Sequence, residues 1–415
     1  MVAGGAVLIG CVLGSDPRWT ERHVLSSYCA TSMTERVAAR ALPWMVGALA
    51  AGSLVLAVPA LARRLRRSSP RAVAALLASL AIAVGASLGV VELVMRWQYE
   101  RLALGAGHAP GQREALPLVR VDPRLGWSHV PGRTTWLELG GRRISYAIDA
   151  DGDRAASPEH RADPDKPTIL VAGESIAFGY GLPYEETFTS LLERELGIQT
   201  VNLAVVGYGN DQAHLRVLDA LARYRRPVAV VTFFVPRQIR RNVDIWRMRL
   251  ALGPDDALVP TPPSSGPRIA KLLQVLPYHG DDARRVTAAI LRATGDAARA
   301  RGAFPLFVVT NYGRQCLGEG GAEAWILDEL FARQGLAFVR VDLEAEDLLP
   351  GVFEHHPSLR GTRRIADAVA GALSERLGAA RGGPRNAHER RAAVMVIVHE
   401  ARRHSLAPLP LRGRG

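Results

Sequence analysis

Lysine is nearly absent from this sequence: Lys166 and Lys271 are the only two, so arginine carries almost all of the positive charge behind a net charge of +12. A basic chain that binds nucleic acid presents its charge as a patch or stripe. Here the arginines are scattered or lie beside apolar runs, without interleaved aromatic residues. We therefore expect no nucleic-acid partner, and we attribute the charge to compositional bias and to the flanks of membrane segments.

Cysteine is also scarce in this chain. Cys11, Cys29 and Cys316 have neither the spacing of a metal site nor the pattern of a disulfide framework. This spacing argues against a cysteine-bound metal and against a small fold held together by disulfides.

The length of 415 residues exceeds one ordinary domain, and the 48% of hydrophobic residues are unevenly distributed. Long apolar runs dominate the start of the chain, whereas the rest has the composition of a soluble domain. We predict an N-terminal segment at 1–41, a two-helix transmembrane hairpin at 42–95, a linker at 96–115, a β-rich lead-in at 116–166, an α/β domain at 167–378 and a basic C-terminal tail at 379–415.

Two apolar runs predict the membrane hairpin. Residues 42–62 carry no charge, and residues 72–95 are interrupted only by Glu92. Each has about the 20 residues that a spanning helix needs, and buried helices of soluble proteins rarely stay apolar on every face for so long. The arginine-rich loop at 63–71 is expected to stay in the cytoplasm, because moving its charges across the membrane is unfavourable. The chain after the second run then faces the periplasm or the exterior, tethered to the cytoplasmic membrane.

Beyond residue 167, short apolar strands alternate with amphipathic helices, beginning with the apolar run at 168–172. This alternation predicts a parallel sheet with helices on both faces. Ligands of such sheets bind at the carboxyl ends of the strands, where catalytic residues are expected to gather. The proline-containing segment 240–268 interrupts the pattern and is predicted to be an exposed insertion. Upstream, alternation on both sides of Gly140-Gly141 predicts a β-hairpin.

A serine follows the first of these strands, in the motif Gly173-Glu174-Ser175. On a tight turn from a strand into a helix, a serine can present its hydroxyl to the crevice with its own N–H nearby. The turn needs a small residue, which Gly173 supplies. A serine that only caps the helix is the alternative interpretation.

A histidine able to activate this serine follows the last predicted strand, at His356. A serine hydroxyl is a weak nucleophile until a base takes its proton. A carboxylate close to the imidazole would fix its tautomer and stabilise its charged form, and Glu354 is the nearest candidate. A histidine that is merely exposed on a loop is the alternative.

The second strand leads into a segment with two glycines, Gly207 and Gly209. A backbone N–H there can approach a bound carbonyl and stabilise the oxyanion, an effect of about 3 kcal/mol per donor. A strand-to-helix turn that needs glycine for its own conformation is the alternative. The serine turn, the histidine loop and the glycine segment each follow a predicted strand, which together favours a catalytic site. The chemistry of such a site requires neither a metal nor an organic cofactor.

In this order, the motifs resemble those of the SGNH/GDSL superfamily of serine hydrolases. Residues 169–188 resemble the first block, and residues 121–127 and 148–154 resemble the lead-in of membrane-attached bacterial members. The resemblance implies a flavodoxin-like, three-layer parallel sheet, preceded here by the two transmembrane helices. The roles it implies are nucleophile for Ser175, support of the serine turn for Gly173 and Glu174, oxyanion-hole donor for Gly207, and base for His356.

The sequence departs from the family pattern at three places. Glu174 stands where the family usually has aspartate. The third block lacks its oxyanion asparagine, and Arg237 or Gln238 could donate in its place. The family's acid usually lies three residues before the histidine, whereas Glu354 lies two before it.

The resemblance implies ester chemistry, through an acyl-enzyme, on an O-acylated glycan or lipid outside the cytoplasm. Water or a sugar hydroxyl could accept the acyl group, so that an esterase and an acyltransferase are both open. The alternative is a catalytically degenerate member that binds or scaffolds envelope polysaccharide together with assembly partners.

Overall fold

The structure, a computed structural model, describes residues 69–103, 118–139, 142–236, 238–267, 280–310, 326–349, 356–378 and 396–397. The first predicted membrane span, at 42–62, lies outside these residues, as do Arg237 and Glu354.

Helix α1, Pro70–Ala103, contains the second predicted span. Its stretch Pro70–Leu93 is the one segment among the described residues that is long and apolar enough to cross a membrane, judged by length and composition. Among the side chains that are described in that stretch, none is buried against the rest of the described chain. The helix continues to Ala103, into the segment that we predicted as a linker.

The β-rich lead-in contains two antiparallel pairs. Strand β1 (Val119–Asp122) pairs with β2 (Gly126–His129), and β3 (Thr134–Leu139) pairs with β4 (Arg142–Ile148) as the predicted hairpin. The short strand β5 (Arg154–Ala155) follows and pairs with β4.

The central sheet of the α/β region contains five parallel strands. Its first strand is apolar after Thr168 and buried along its whole length, as expected of a strand that is covered on both faces. The parallel strands, in chain order, are β6 (Thr168–Ala172), β7 (Gln199–Asn202), β8 (Pro227–Phe234), β11 (Phe304–Thr310) and β12 (Phe338–Val341).

Across the sheet the parallel strands run in the order β7-β6-β8-β11-β12. This is the flavodoxin-like order, in which the direction of winding reverses between β6 and β8 and opens a crevice at their carboxyl ends. The predicted all-parallel sheet was wrong in one respect. In the described residues the sheet has nine strands and is mixed, because β5, β4 and β3 extend it beside β7 and β13 (Val396–Ile397) pairs antiparallel to β12.

Helices cover both faces of the sheet. Neighbouring residues of β6 point to opposite faces, and the side chains on each face are buried against helices. Ile169 and Val171 pack with two of the helices, and Leu170 and Ala172 pack with two others. The first pair is α3 (Phe188–Leu196) and α7 (Leu359–Gly378), and the second pair is α4 (Asn210–Arg223) and α6 (Gly280–Ala300).

The segment predicted as an exposed insertion is partly folded into the core. It begins within helix α5 (Gln238–Arg241) and contains a hairpin of β9 (Arg249–Leu252) and β10 (Leu258–Thr261). Trp246 and Leu250 within it are buried. Burial of these apolar side chains explains why the segment docks instead of projecting into solvent.

The lead-in packs directly against the segment that carries Ser175. The hydroxyl of Tyr146 accepts a hydrogen bond from the Gly181 N–H at 2.9 Å. The guanidinium of Arg154, itself buried, lies 5.4 Å from the centroid of the Phe178 ring. The lead-in therefore forms one wall around the serine turn.

Candidate active site

The serine turn follows β6 and depends on Gly173. A Cβ on Gly173 would lie 2.9 Å from the Cβ atoms of both Ala177 and Phe233, which leaves no space for a side chain. Ser175 begins the short helix α2 (Ser175–Phe178), and the Glu174 side chain caps that helix by accepting from the Ile176 N–H at 3.0 Å. The turn thus places the serine hydroxyl at the carboxyl edge of the sheet.

Ser175 and His356, which are 181 residues apart in sequence, lie within hydrogen-bond distance of each other. The His356 Nε2 atom is 2.9 Å from the Ser175 Oγ atom. The same hydroxyl is 2.6 Å from the Glu174 Oε2 atom, to which it donates. Tyr180 borders the imidazole, with 5.2 Å between the ring centroids.

Glu174 is 1% exposed and lies beside a cation, Arg241. The Arg241 Nη1 atom is 3.5 Å from the Glu174 Oε2 atom. Burial by itself raises the pKa of the Glu174 carboxyl, but Arg241, the Ser175 hydroxyl and His356 together hold that pKa below its ordinary value. The carboxyl is therefore ionised at neutral pH, at the centre of the site.

Gly207 lies in the loop after β7 and takes a left-handed conformation, with a φ of 85°. Glycine adopts this conformation without strain. A Cβ on Gly207 would lie 3.4 Å from the Trp127 ring, so that β2 borders this loop. The Arg247 guanidinium donates to the Gly207 carbonyl at 2.8 Å, which helps to fix the loop's conformation.

The loop of His356 is held by backbone hydrogen bonds to the turn around Asp347. The Asp347 side chain is fully buried and pairs with Arg360 and Arg364 on helix α7. Its backbone carbonyl accepts from the Ser358 N–H at 2.7 Å. The Leu349 N–H donates to the His356 carbonyl at 2.8 Å. These contacts tie the histidine loop to the start of α7.

Gln238, one of the two residues expected to replace the missing asparagine, is fully buried after β8. Its Oε1 atom accepts from the Val235 N–H at 2.8 Å and from the Asn210 side chain at 3.2 Å. Its Nε2 atom is buried from solvent, and therefore from a substrate in the open crevice. Arg237, the other candidate, and Glu354, the candidate acid, lie outside the described residues.

Arg241 and Asp347 are the two site residues that our sequence analysis missed. Arg241 lies 67 positions after Glu174, and no pattern in the sequence connects the two. Asp347 lies nine positions before His356, in a run of acidic residues that gives no sign of which one is buried.

No group of three or more histidine, cysteine or acidic side chains arranged to hold a metal ion occurs in the part of the chain that the structure describes. The chemically competent groups of the site are a hydroxyl, an imidazole, a carboxylate and backbone N–H groups. Such a set can carry out nucleophilic acyl transfer.

Comparison with known proteins gives similarity in structure but none in sequence. No protein-family model and no curated protein matches the chain. Among solved structures, the chain resembles an acetyl xylan esterase from the rumen bacterium Butyrivibrio proteoclasticus at 10% identity, with a TM-score of 0.33, over 53% of this chain and 66% of that one.

Other solved structures show the same degree of likeness. A member of the lipolytic protein G-D-S-L family from Veillonella parvula is 12% identical, with a TM-score of 0.30, over 50% of this chain and 98% of that one. An SGNH-hydrolase family esterase, AlinE4, is 17% identical, with a TM-score of 0.29, over 52% and 99%. Two of these three proteins are named as SGNH or G-D-S-L family members, the superfamily that the sequence motifs resemble, and the third as an acetyl xylan esterase.

Proposed function

We propose that this chain is a membrane-tethered serine hydrolase or acyltransferase of the SGNH type, acting outside the cytoplasm on acyl esters of a glycan or lipid. The observation that carries the proposal is the 2.9 Å contact between Ser175 Oγ and His356 Nε2. A serine at the carboxyl end of a parallel strand, within reach of an imidazole, is the arrangement that nucleophilic acyl transfer needs.

In the first half of the reaction, the Ser175 Oγ atom attacks the acyl carbonyl carbon and its proton passes to His356 Nε2. The N–H groups of Ser175 and Gly207 stabilise the oxyanion. The intermediate then collapses: the bond from the carbonyl carbon to the alcohol oxygen breaks, and His356 returns the proton to the departing alcohol. An acyl ester on Ser175 remains.

In the second half, water or an acceptor hydroxyl attacks the Ser175 ester while His356 takes its proton. The bond between the acyl carbon and Oγ breaks, and the proton returns to Oγ. Water as acceptor releases a carboxylic acid, and a sugar hydroxyl yields a new ester. Glu354 is the proposed orienting acid for His356, and Arg237 is the proposed third oxyanion donor.

Turnover of a chromogenic short-chain acyl ester by the full chain in detergent tests the proposal. Ser175→Ala and His356→Ala are each expected to lower kcat/KM by more than about 1,000-fold, since the members of such a pair act as a unit. Wild-type activity that persists in Ser175→Ala would contradict the proposal. Adding an acceptor sugar and measuring the ratio of ester formed to acid released separates transfer from hydrolysis.

The second candidate function is a non-catalytic protein that binds or scaffolds envelope polysaccharide. It is favoured by the 2.6 Å hydrogen bond from Ser175 to Glu174, which directs the serine proton away from His356. Under this alternative, the folded wild type would bind an O-acylated polysaccharide without releasing acid, and Ser175→Ala would bind it equally well.

A further inference from the structure

Arg241 contacts two of the elements that make up the candidate site. Its Nη1 atom lies 3.5 Å from the Glu174 carboxylate on the serine turn. The same atom donates to the Tyr208 carbonyl at 2.8 Å, immediately after Gly207. One guanidinium on α5 therefore connects the serine turn with the loop of the proposed oxyanion donor.

The hydrogen bonds around Ser175 constrain where its single proton lies. An ionised Glu174 has no proton to donate, so that the 2.6 Å contact uses the serine proton. In that arrangement His356 Nε2, 2.9 Å from the same oxygen, must be the donor of their hydrogen bond. Before Ser175 can give its proton to His356, the hydroxyl must turn from the carboxylate to an unprotonated Nε2 atom.

We propose that Arg241 is a positioning residue that sets the reactivity of Ser175 through Glu174, an inference that rests on the proposed function. The guanidinium shares the charge of the carboxylate and so weakens its hold on the serine proton. It also balances the negative charge of Glu174 next to the imidazole. Without the guanidinium, that negative charge would favour the protonated form of His356. Its bond to Tyr208 keeps the guanidinium in place.

The charged and titratable groups that face this hydroxyl come from several elements. In the described part of the chain they are Glu174 on the serine turn, Arg241 on α5, His356 on the histidine loop and Tyr180 after α2. Arg247 binds the neighbouring Gly207 carbonyl. Glu174 and Arg241 have opposite charges. Removing Glu174 alone is therefore expected to lower the pH at which His356 becomes protonated, and removing Arg241 alone is expected to raise it.

The test is the second-order rate of reaction of Ser175 with a fluorophosphonate, measured against pH on the full chain in detergent. Arg241→Met is expected to react about ten-fold more slowly at neutral pH and to move the acidic limb of the profile up by about one pH unit. Glu174→Gln is expected to move that limb down by a similar amount. The double variant Glu174→Gln/Arg241→Met, which removes both charges, is expected to return the limb close to the wild-type position.

Two further variants separate positioning from a general effect on folding. Arg241→Lys keeps the charge and is expected to keep the limb within a few tenths of a pH unit. Arg225→Met removes an arginine that is 70% exposed and pairs with Asp165, just before β8 at the opposite edge of the sheet. It is expected to react like the wild type. If Arg241→Met unfolds, Arg241→Gln, which also removes the charge but keeps an N–H donor, takes its place with the same expected upward shift, opposite to that of Glu174→Gln.

A wild-type rate and profile in Arg241→Met would overturn this inference alone, as would shifts of Arg241→Met and Glu174→Gln in the same direction. A folded wild-type chain that does not react at Ser175 would overturn the proposed function, and this inference with it.

Discussion

The contact between Gly361 and Asp347 offers a way to displace His356 without altering the site itself. Gly361 lies in the first turn of α7, and a Cβ built on it would be 2.3 Å from the Asp347 carbonyl oxygen. Because that neighbour is backbone, Gly361→Ala must push the Asp347 turn away from the helix. The same turn holds the histidine loop through the Ser358 N–H and the His356 carbonyl.

The expected size of the effect follows from overpacking. Forcing a methyl group into a closely packed contact costs about 1–3 kcal/mol of unfolding free energy. A displacement of the imidazole by about 1 Å from Ser175 Oγ is expected to slow acyl transfer by about 100-fold. We expect Gly361→Ala to lower both the thermal unfolding midpoint and the rate of serine labelling, measured on the full chain in detergent.

Gly371→Ala is the matched control on the same helix. Nothing lies within 4 Å of the Cβ that this substitution adds. Alanine in a helix interior is favoured over glycine by about 0.5–1 kcal/mol, so the control is expected to be as stable as the wild type or slightly more so. Labelling of Gly361→Ala at the wild-type rate, with an unchanged midpoint, would refute the argument that Asp347 positions His356.

Three further predictions concern charge and topology. Asp153→Asn is expected to lower the free energy of unfolding by about 3 kcal/mol in denaturant titrations, because Arg216 and Arg223 would lose a buried counter-charge. Burial raises the pKa of Asp211 from 3.8 to about 6, so its protonated form stabilises the fold below about pH 4 and this contribution is lost as the pH rises through 6. Asp211→Asn should therefore gain about 3 kcal/mol relative to the wild type between about pH 4 and 6, and an equal difference at both pH values would contradict this. A periplasm-dependent reporter fused after Ala103 is expected to be active, and an inactive but expressed fusion would reverse the proposed orientation.

The sequence was sufficient to predict a parallel sheet with helices on both faces, and the flavodoxin-like strand order was implied by the family resemblance. An apolar run such as 168–172 indicates a buried strand, and the carboxyl ends of parallel strands share one edge, which is where Ser175 and His356 lie 2.9 Å apart in the structure. The antiparallel extension was not predictable in the same way. Strand β5 has only two residues, and its pairing with β7 depends on tertiary packing instead of on its own pattern.

The charged contacts around the site could not be predicted, because they join residues that are distant in sequence. Nothing in the spacing of Glu174 and Arg241 distinguishes that arginine from its neighbours. Gln238 illustrates the opposite case. Its residue type suited an oxyanion donor, but the fold buries its amide in a network with Asn210 and the Val235 N–H.

Reaction of the full chain with a fluorophosphonate, followed by mass spectrometry of its peptides, tests the central claim most directly. We expect one modified residue, Ser175, with labelling abolished in Ser175→Ala and slowed by more than about 1,000-fold in His356→Ala. A folded wild-type chain that is not labelled, or is labelled at another residue with Ser175→Ala unaffected, would contradict it.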